Sequence, residues 1–551
     1  MKKRAVLLYT LSTIAGWAAQ HGGTDPAPFV DLNKPERVQW LGDAGFGMFV
    51  HFSFDSQLGV VISHSLVGAS DDYTNRFFHD LPQTFDPKRF DARELVTLAK
   101  LAGMKYIVLT AKHHSGFCLW DTKTTDFNIM RTPYGKDLVA QFVAAAREAG
   151  LGVGLYYSPE DFWFLHQEGQ LIRRDFPEPI PAEVQDRYVD FVARQCAELM
   201  TNYGPIDVVF FDGGDGRLQE KAKEVVWKLQ PNALVTRGAM RTPEQMVPGQ
   251  ASDVVFEANI TMGTQWQYKP TNEDYKSGTR LIDILIETRA KGGALLMNVG
   301  PKPDGVLPEE QEARLREIAA WHFVNQEAVH GVRPWILTNE DNIWFTRGKD
   351  DSTVFAYLTG IGDWARGARK EFLLKSVKST PSTRVSVLGQ SDRVVEYDAA
   401  ADATTRFEQR EDGLLVSCVR AQRIYNNHKW PNPIVLKLEN VVPALDPPLV
   451  QTVEIRRDGA KLKLVGEVTK SGDVKPLTVG FYFRKYGGFV EQLYSTEWMS
   501  TAFVEPTAEG RFEIAIDAPA DGEVYQFKAA ARNARIEVHG DIVQTEIEQE
   551  H

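Results

Sequence analysis

The chain has 551 residues, too many for one hydrophobic core, and at about 100–200 residues per domain it predicts two to four domains. Its composition, 43% hydrophobic and 25% charged, is that of a globular protein able to bury large cores. The balance of 62 Lys and Arg against 74 Asp and Glu gives a formal charge of −12, which argues against a nucleic-acid partner and suits a neutral small molecule or glycan.

At the N-terminus Lys2, Lys3 and Arg4 precede a mostly apolar stretch from Ala5 to Ala19 that ends in small residues. That layout predicts a secretory signal over residues 1–19, cleaved near Ala18 or Ala19, and a periplasmic or secreted protein. No later segment has the ~20 apolar residues of a membrane span. The three cysteines, Cys118, Cys196 and Cys418, are far apart, so neither a disulfide framework nor a C-x-x-C zinc spacing is present.

From about residue 40 to 330 short apolar runs alternate with amphipathic helical patterns. The runs are FGMFV (46–50), YIVLT (106–110), GVGLYY (152–157), IDVVFF (206–211), ALVT (233–236), DVVF (253–256) and ALLMNV (294–299). Helix-like stretches such as 92–103, 137–150, 183–200, 281–293 and 308–325 separate them. Continuous apolar strands divided by helices predict a parallel sheet covered on both faces. With an eighth strand expected near 160–180, the leading fold is α/β, a (β/α)8-like TIM barrel spanning 23–333. An open doubly wound sheet is the alternative, but no glycine-rich phosphate turn follows the first strand.

After about Pro334 the helical period disappears. Short alternating runs such as STVFAYLTG (352–360) and PIVLKLEN (433–440) predict a β-sandwich over 334–442. Beyond the break VPALDPPLV, further runs predict an immunoglobulin- or fibronectin-like β domain over 446–551.

Polar residues gather where the barrel runs end: His51, the pair His113 and His114, Tyr156, Asp212, Arg237, Glu257 and Asn298. In a barrel those ends converge on one mouth, where active sites sit. Adjacent histidines in extended backbone point to opposite sides, and no H-E-x-x-H is present, so hydrogen bonding to ligand hydroxyls is expected there rather than a metal. Asp212 ends an apolar strand and precedes two glycines, a costly place for a charge unless it is paired or at work; it reads as a nucleophile or general base. Glu244, in the proline-stiffened loop RTPEQMVPG, is the candidate acid, with Glu257 as its competitor. Trp120 and Trp266 offer aromatic walls of the kind that pack on sugar C–H faces.

These pieces resemble the retaining α-L-fucosidase family, glycoside hydrolase family 29. The likeness runs from Trp40 to about Pro334 through FGMFVHF, AGMKYIVLTAKHHSGFCLWDTKTTDFN, YGPIDVVFFDGG, TPEQ and KGGALLMNVGPKPDGVLPEEQ. The resemblance implies Asp212 as nucleophile and Glu244 as acid/base. It also implies His51, His113, His114, Tyr156 and Arg237 around the sugar hydroxyls, Trp266 in the sugar pocket, and no metal or cofactor. The expected substrate is a glycan with terminal α-L-fucose or α-L-galactose. The chain departs from the family at His51-Phe52-Ser53, Ser115, Phe256 and residues 62–78, all around the sugar pocket. A glycan-binding protein without turnover on the same barrel is the rival expectation.

Overall fold

The computed structural model describes residues 31–174, 179–214, 216–362, 364–424, 432–486, 497–518 and 523–546; the expected signal, 1–19, lies outside them. No helix among the described residues is long and apolar enough to cross a membrane.

Seven strands form one parallel sheet: β1 (Phe46–Val50), β2 (Tyr106–Lys112), β3 (Gly152–Tyr157), β4 (Val208–Phe211), β5 (Leu234–Val235), β6 (Glu257–Thr261) and β7 (Ala294–Val299). Their spatial order is β5-β4-β3-β2-β1-β7-β6, so sequence neighbours lie side by side and β7 returns to β1. The sheet is curled. Phe49, Tyr106, Val108, Tyr156, Val208, Phe210, Leu234 and Leu296 come from six strands yet meet in one inner cluster. The alternate residues, among them Met48, Ile107, Leu109, Leu155, Val209, Phe211 and Met297, face outward into the core under the helices. Each fully buried aliphatic or Phe side chain contributes about 1.5–3 kcal/mol relative to exposure, and the two-residue period makes that gain register-specific.

Several of the helices begin where the sequence supplies an acceptor for their free N–H groups. Asp91 accepts from Arg93 and Glu94 at the start of α1 (Ala92–Leu101), and Asp137 accepts from Ala140 at the start of α2 (Leu138–Glu148). Asp161 accepts from Phe164 in the short helix α3 (Phe162–Gln167). Asp161 also accepts from Lys112 Nζ at 2.8 Å, with both side chains fully buried. Such a pair is tolerated because each charge has its partner; either one alone would be a buried, uncompensated ion.

Two expectations need correction. Residues 162–167, inside the stretch expected to hold an eighth strand, are helical, and no strand lies between β3 and β4 among the described residues. The sixth strand covers Glu257–Thr261 rather than 253–256. Between the free edges β5 and β6 the chain passes as an irregular segment. Phe211 N–H donates to Arg237 O on one side, while Asn259 N–H donates to Pro243 O and Gln245 N–H to Asn259 O on the other. The inward residues of β6, Glu257, Asn259 and Thr261, are polar: Glu257 accepts from Tyr106 OH, Asn259 Nδ2 donates to Glu257 O, and Thr261 Oγ1 accepts from Gln245 Nε2.

C-terminal to the curled sheet, residues 333–443 form antiparallel sheets of five and three strands, and residues 449–546 form a further antiparallel pair. The first pair shares the outer core of the curled sheet, and Trp321 Nε1 reaches Pro433 O at 2.8 Å across that junction.

Candidate active site

The inner-face period of each strand continues past its last apolar residue, and this puts polar side chains at one end of the curled sheet. Phe49 is followed at the same parity by His51, Phe210 by Asp212 and Leu296 by Asn298, while Tyr156 closes the inner face of β3. On β2 a bulge between Thr110 and Lys112 breaks that parity, sends Lys112 to its partner Asp161 and lets both following histidines reach the mouth.

At the centre lies Asp212. Its Oδ2 accepts from Tyr156 OH at 2.9 Å and its Oδ1 from Arg237 Nη1 at 3.1 Å. The other terminal nitrogen of the same guanidinium, Nη2, donates to Glu244 Oε2 at 2.8 Å. One arginine therefore spans both carboxylates. The side chains of Asp212 and Glu244 keep 24% and 15% exposure, so both can be reached from solvent. Gly213 follows Asp212 at φ +71°, and a Cβ there would lie 2.9 Å from both Glu160 Oε2 and His114 Cε1; only glycine fits this turn.

The two carboxyl groups are driven apart. Burial works to raise Asp212, but the cations Arg237 and Arg174 and the Tyr156 hydroxyl hold it well below the usual carboxylate range. Burial also raises Glu244; Arg237 pulls it back, the negative charge of Asp212 adds to the rise, and the net shift is upward. An ionised and a proton-holding carboxyl beside one another are the division of labour that acid–base chemistry requires. Burial keeps the phenol of Tyr156 protonated as a donor, pushing its pKa well up.

The histidines surround this pair as neutral rings. Burial pulls His51 down to about 3 and His64 to about 4, and it holds His113 and His114 well below their ordinary value. Asn298 Nδ2 donates to Trp266 O, so its Oδ1 faces His51 Nδ1 at 2.6 Å as an acceptor. His51 thus carries its proton on Nδ1 and offers Nε2 as a lone pair. Ser158 donates to Glu160 O and accepts from His114 Nδ1 at 2.7 Å, which leaves His114 Nε2 unprotonated, 3.8 Å from Asp212 Oδ2. His113 is stacked on Tyr156, with ring centroids 5.3 Å apart, and the Trp266 ring lies 4.9 Å from His51. His113, His114 and Asp212 each present an atom within 4.8 Å of the others, a spacing that could also frame a metal ion. The Arg237 cation already beside Asp212 works against a second cation, and sugar hydroxyls match the lone pairs better.

Two predicted residues lie elsewhere. Trp120 is fully buried on the outer face, where its Nε1 donates to Glu198 Oε2 at 2.9 Å. Glu257 opens β6 at the opposite end of the sheet and accepts from Tyr106 OH at 2.7 Å. Burial raises its pKa to about 7, against 4.5 for an ordinary glutamate. Between those two values the unfolded chain is ionised while the folded one holds its proton, so this group favours folding at low pH and loses that contribution as pH rises through about 7. Glu257→Gln is expected to leave kcat within about twofold and to stabilise the protein by about 1–3 kcal/mol above pH 7, as read from denaturation at pH 5 and pH 8. A large loss of kcat would return Glu257 to the candidates for the acid.

His64 and Arg174 also belong to the site, and the sequence did not single them out. The His64 ring stands edge-on to His114 at 5.5 Å, and Arg174 Nε lies 3.4 Å from Glu160 Oε2. Both come from connections rather than strand ends, where the only signal was an unassigned polar residue.

The comparisons with known proteins agree with one another. The family model described as Alpha-L-fucosidase matches residues 19–327. An alpha-L-fucosidase of Dictyostelium discoideum is 27% identical over 374 residues, covering 60% of this chain and 80% of its own. The plasma alpha-L-fucosidase of Homo sapiens is 28% identical over 371 residues, with coverage of 59% and 76%. Among solved structures, alpha-L-fucosidase isoenzyme 1 from Paenibacillus thiaminolyticus superposes with a TM-score of 0.60 at 27% identity, covering 73% of this chain and 98% of that one.

Proposed function

Because the chain belongs to the alpha-L-fucosidase family, we propose that it is an exo-acting, retaining glycoside hydrolase that releases terminal α-L-fucose, or the closely related α-L-galactose, from glycans. It is a glycoside hydrolase, and fucosides are the substrates its family implies. The observation that carries the finer reading is the single guanidinium of Arg237 spanning Asp212 and Glu244, whose pKa values are pushed in opposite directions.

In this reading the ionised Asp212 attacks the anomeric carbon while Glu244 gives its proton to the departing glycosidic oxygen. A glycosyl ester on Asp212 results. Glu244, now a carboxylate, takes a proton from water, which attacks the same carbon and frees Asp212. Retention of configuration follows from the two displacements. Two acceptors on neighbouring nitrogens of one arginine favour the close spacing of about 5–5.5 Å of retaining pairs over the roughly 6.5–9.5 Å of inverting ones. His51 Nε2 and His114 Nε2 would accept from sugar hydroxyls, and Trp266 would cover an apolar sugar face. A solved covalent intermediate of a Bacteroides thetaiotaomicron alpha-L-fucosidase with 2-fluoro-fucosyl fluoride shares the fold, with a TM-score of 0.59 at 21% identity.

We read the curled sheet as a (β/α)8-like barrel in which residues 236–245 stand in for a regular strand, and the last antiparallel pair as an immunoglobulin-like sandwich. The basic and apolar residues 2–19 support export to the periplasm or beyond. The test of function is paired turnover of 4-nitrophenyl α-L-fucoside and α-L-galactoside. Release of nitrophenol from the fucoside is expected. Binding of both sugars without turnover of either would leave only the glycan-binding reading.

A further inference from the structure

The loop that carries Glu244 is fastened at both ends by a residue from the far end of the chain. Arg241 opens this loop, and its Nη2 donates to Asp541 Oδ2 at 2.9 Å across a sequence separation of 300. Gly249 closes the loop, and its N–H donates to Asp541 Oδ1 at 2.7 Å. One carboxylate thus holds residues 241 and 249, with Glu244 between them. The approach is close: a Cβ on Gly249 would lie 2.7 Å from Gly540 O and 2.8 Å from Ile542 N.

Asp541 sits between two short strands of the C-terminal unit, Glu537–His539 and Val543–Glu546. That unit is itself docked on the preceding sandwich. Leu337, Leu445 and Ile536 bury one another there, and Arg535 Nη2 donates to Lys375 O at 2.7 Å. Tyr486 of the same unit feels the charge of Glu244: burial first, and then that charge, push its phenol up to about 12. On its other side the loop is tied to β6, where Gln245 Nε2 donates to Thr261 Oγ1 at 3.0 Å.

We infer that Asp541 is a positioning residue for Glu244, so that the C-terminal β unit sets the geometry of leaving-group protonation. This rests on the reading of Glu244 as the acid/base. The mechanism is entropic: a loop fixed at both ends loses fewer degrees of freedom when the proton must be aimed at the glycosidic oxygen.

The test uses the full-length enzyme and kcat/KM, which reports the first displacement, on two substrates. Phenyl α-L-fucoside has a basic leaving group that needs the proton; 2-chloro-4-nitrophenyl α-L-fucoside leaves without one. Asp541→Ala and, independently, Arg241→Met are expected to lower kcat/KM about tenfold to a hundredfold on the phenyl substrate and about twofold or less on the activated one. Asp541→Glu restores the charge and part of the loss. Equal losses on both substrates would mean a merely structural contact, and no loss on either would mean no contribution; each overturns the inference. Glu244→Gln, run alongside, must show the same split more strongly. If it shows none, the acid/base reading of Glu244 fails irrespective of Asp541.

Discussion

Asp212→Ala is expected to lower kcat by about 10⁴-fold or more, because in the proposed mechanism it removes the group that forms the covalent bond while the rest of the mouth stays in place. The fold should survive. Asp212 is partly exposed, and Arg237 keeps Glu244 as a partner when Asp212 is gone. A sharper reading comes from Asp212→Gly supplied with azide and an activated α-L-fucoside. Azide then occupies the vacated space and attacks the anomeric carbon from the face Asp212 used. The aryloxide leaves from the other face, and the product is β-L-fucosyl azide. In Glu244→Gly the ester on Asp212 still forms, azide enters from the leaving-group side, and α-L-fucosyl azide results. Identical anomers from both variants would contradict the assignment, as would near-normal hydrolysis by Asp212→Ala.

Glu244→Gln carries the second large effect, a loss of about 10²–10⁴-fold in kcat/KM on substrates with basic leaving groups. Its pH signature follows from the two carboxyl groups. In the proposed mechanism the active enzyme has Asp212 ionised and Glu244 protonated. Arg237 and Arg174 hold Asp212 well below the ordinary range, so the acidic limb of the profile falls at low pH. Glu244 is raised, so activity is lost as pH climbs through its titration and it loses the proton it must donate. Glu244→Gln should therefore flatten the alkaline limb of kcat/KM measured on phenyl α-L-fucoside, whose leaving group needs the proton, and leave the acidic limb unchanged. An alkaline limb that persists in the variant would assign it to another group.

Much of this site was legible because strand parity is periodic. Phe49 and His51, or Phe210 and Asp212, differ by two residues, and a reader who finds the apolar run also finds the face on which its end must point. The same logic misplaced β6. DVVF is the more apolar segment, but the strand is Glu257–Thr261, whose inward positions Glu257, Asn259 and Thr261 are polar and find partners inside the sheet. Hydrophobicity cannot mark a strand whose inner face is polar. Trp120 misled for a related reason: closeness to a strand end in sequence does not say on which side of the sheet a side chain falls, and this one packs outward beside Glu198. Arg174, His64 and Asp541 were beyond reach, since each comes to the mouth or to its loop from a connection with no repeating pattern. The eighth strand was an expectation of symmetry; among the described residues no strand lies between β3 and β4, and an irregular segment runs between β5 and β6.

The central claim is a covalent bond between Asp212 and the sugar, and trapping measures it most directly. In 2-deoxy-2-fluoro-L-fucosyl fluoride, the fluorine at C2 disfavours positive charge at the anomeric carbon and slows both displacements, while the fluoride leaving group speeds only the first. The intermediate should therefore accumulate. Peptide mass spectrometry of the inactivated enzyme is expected to find one fluorofucosyl residue on the peptide containing Asp212, and none in Asp212→Ala. An adduct on a different carboxylate, or continued turnover with inverted product and no adduct, would contradict the account.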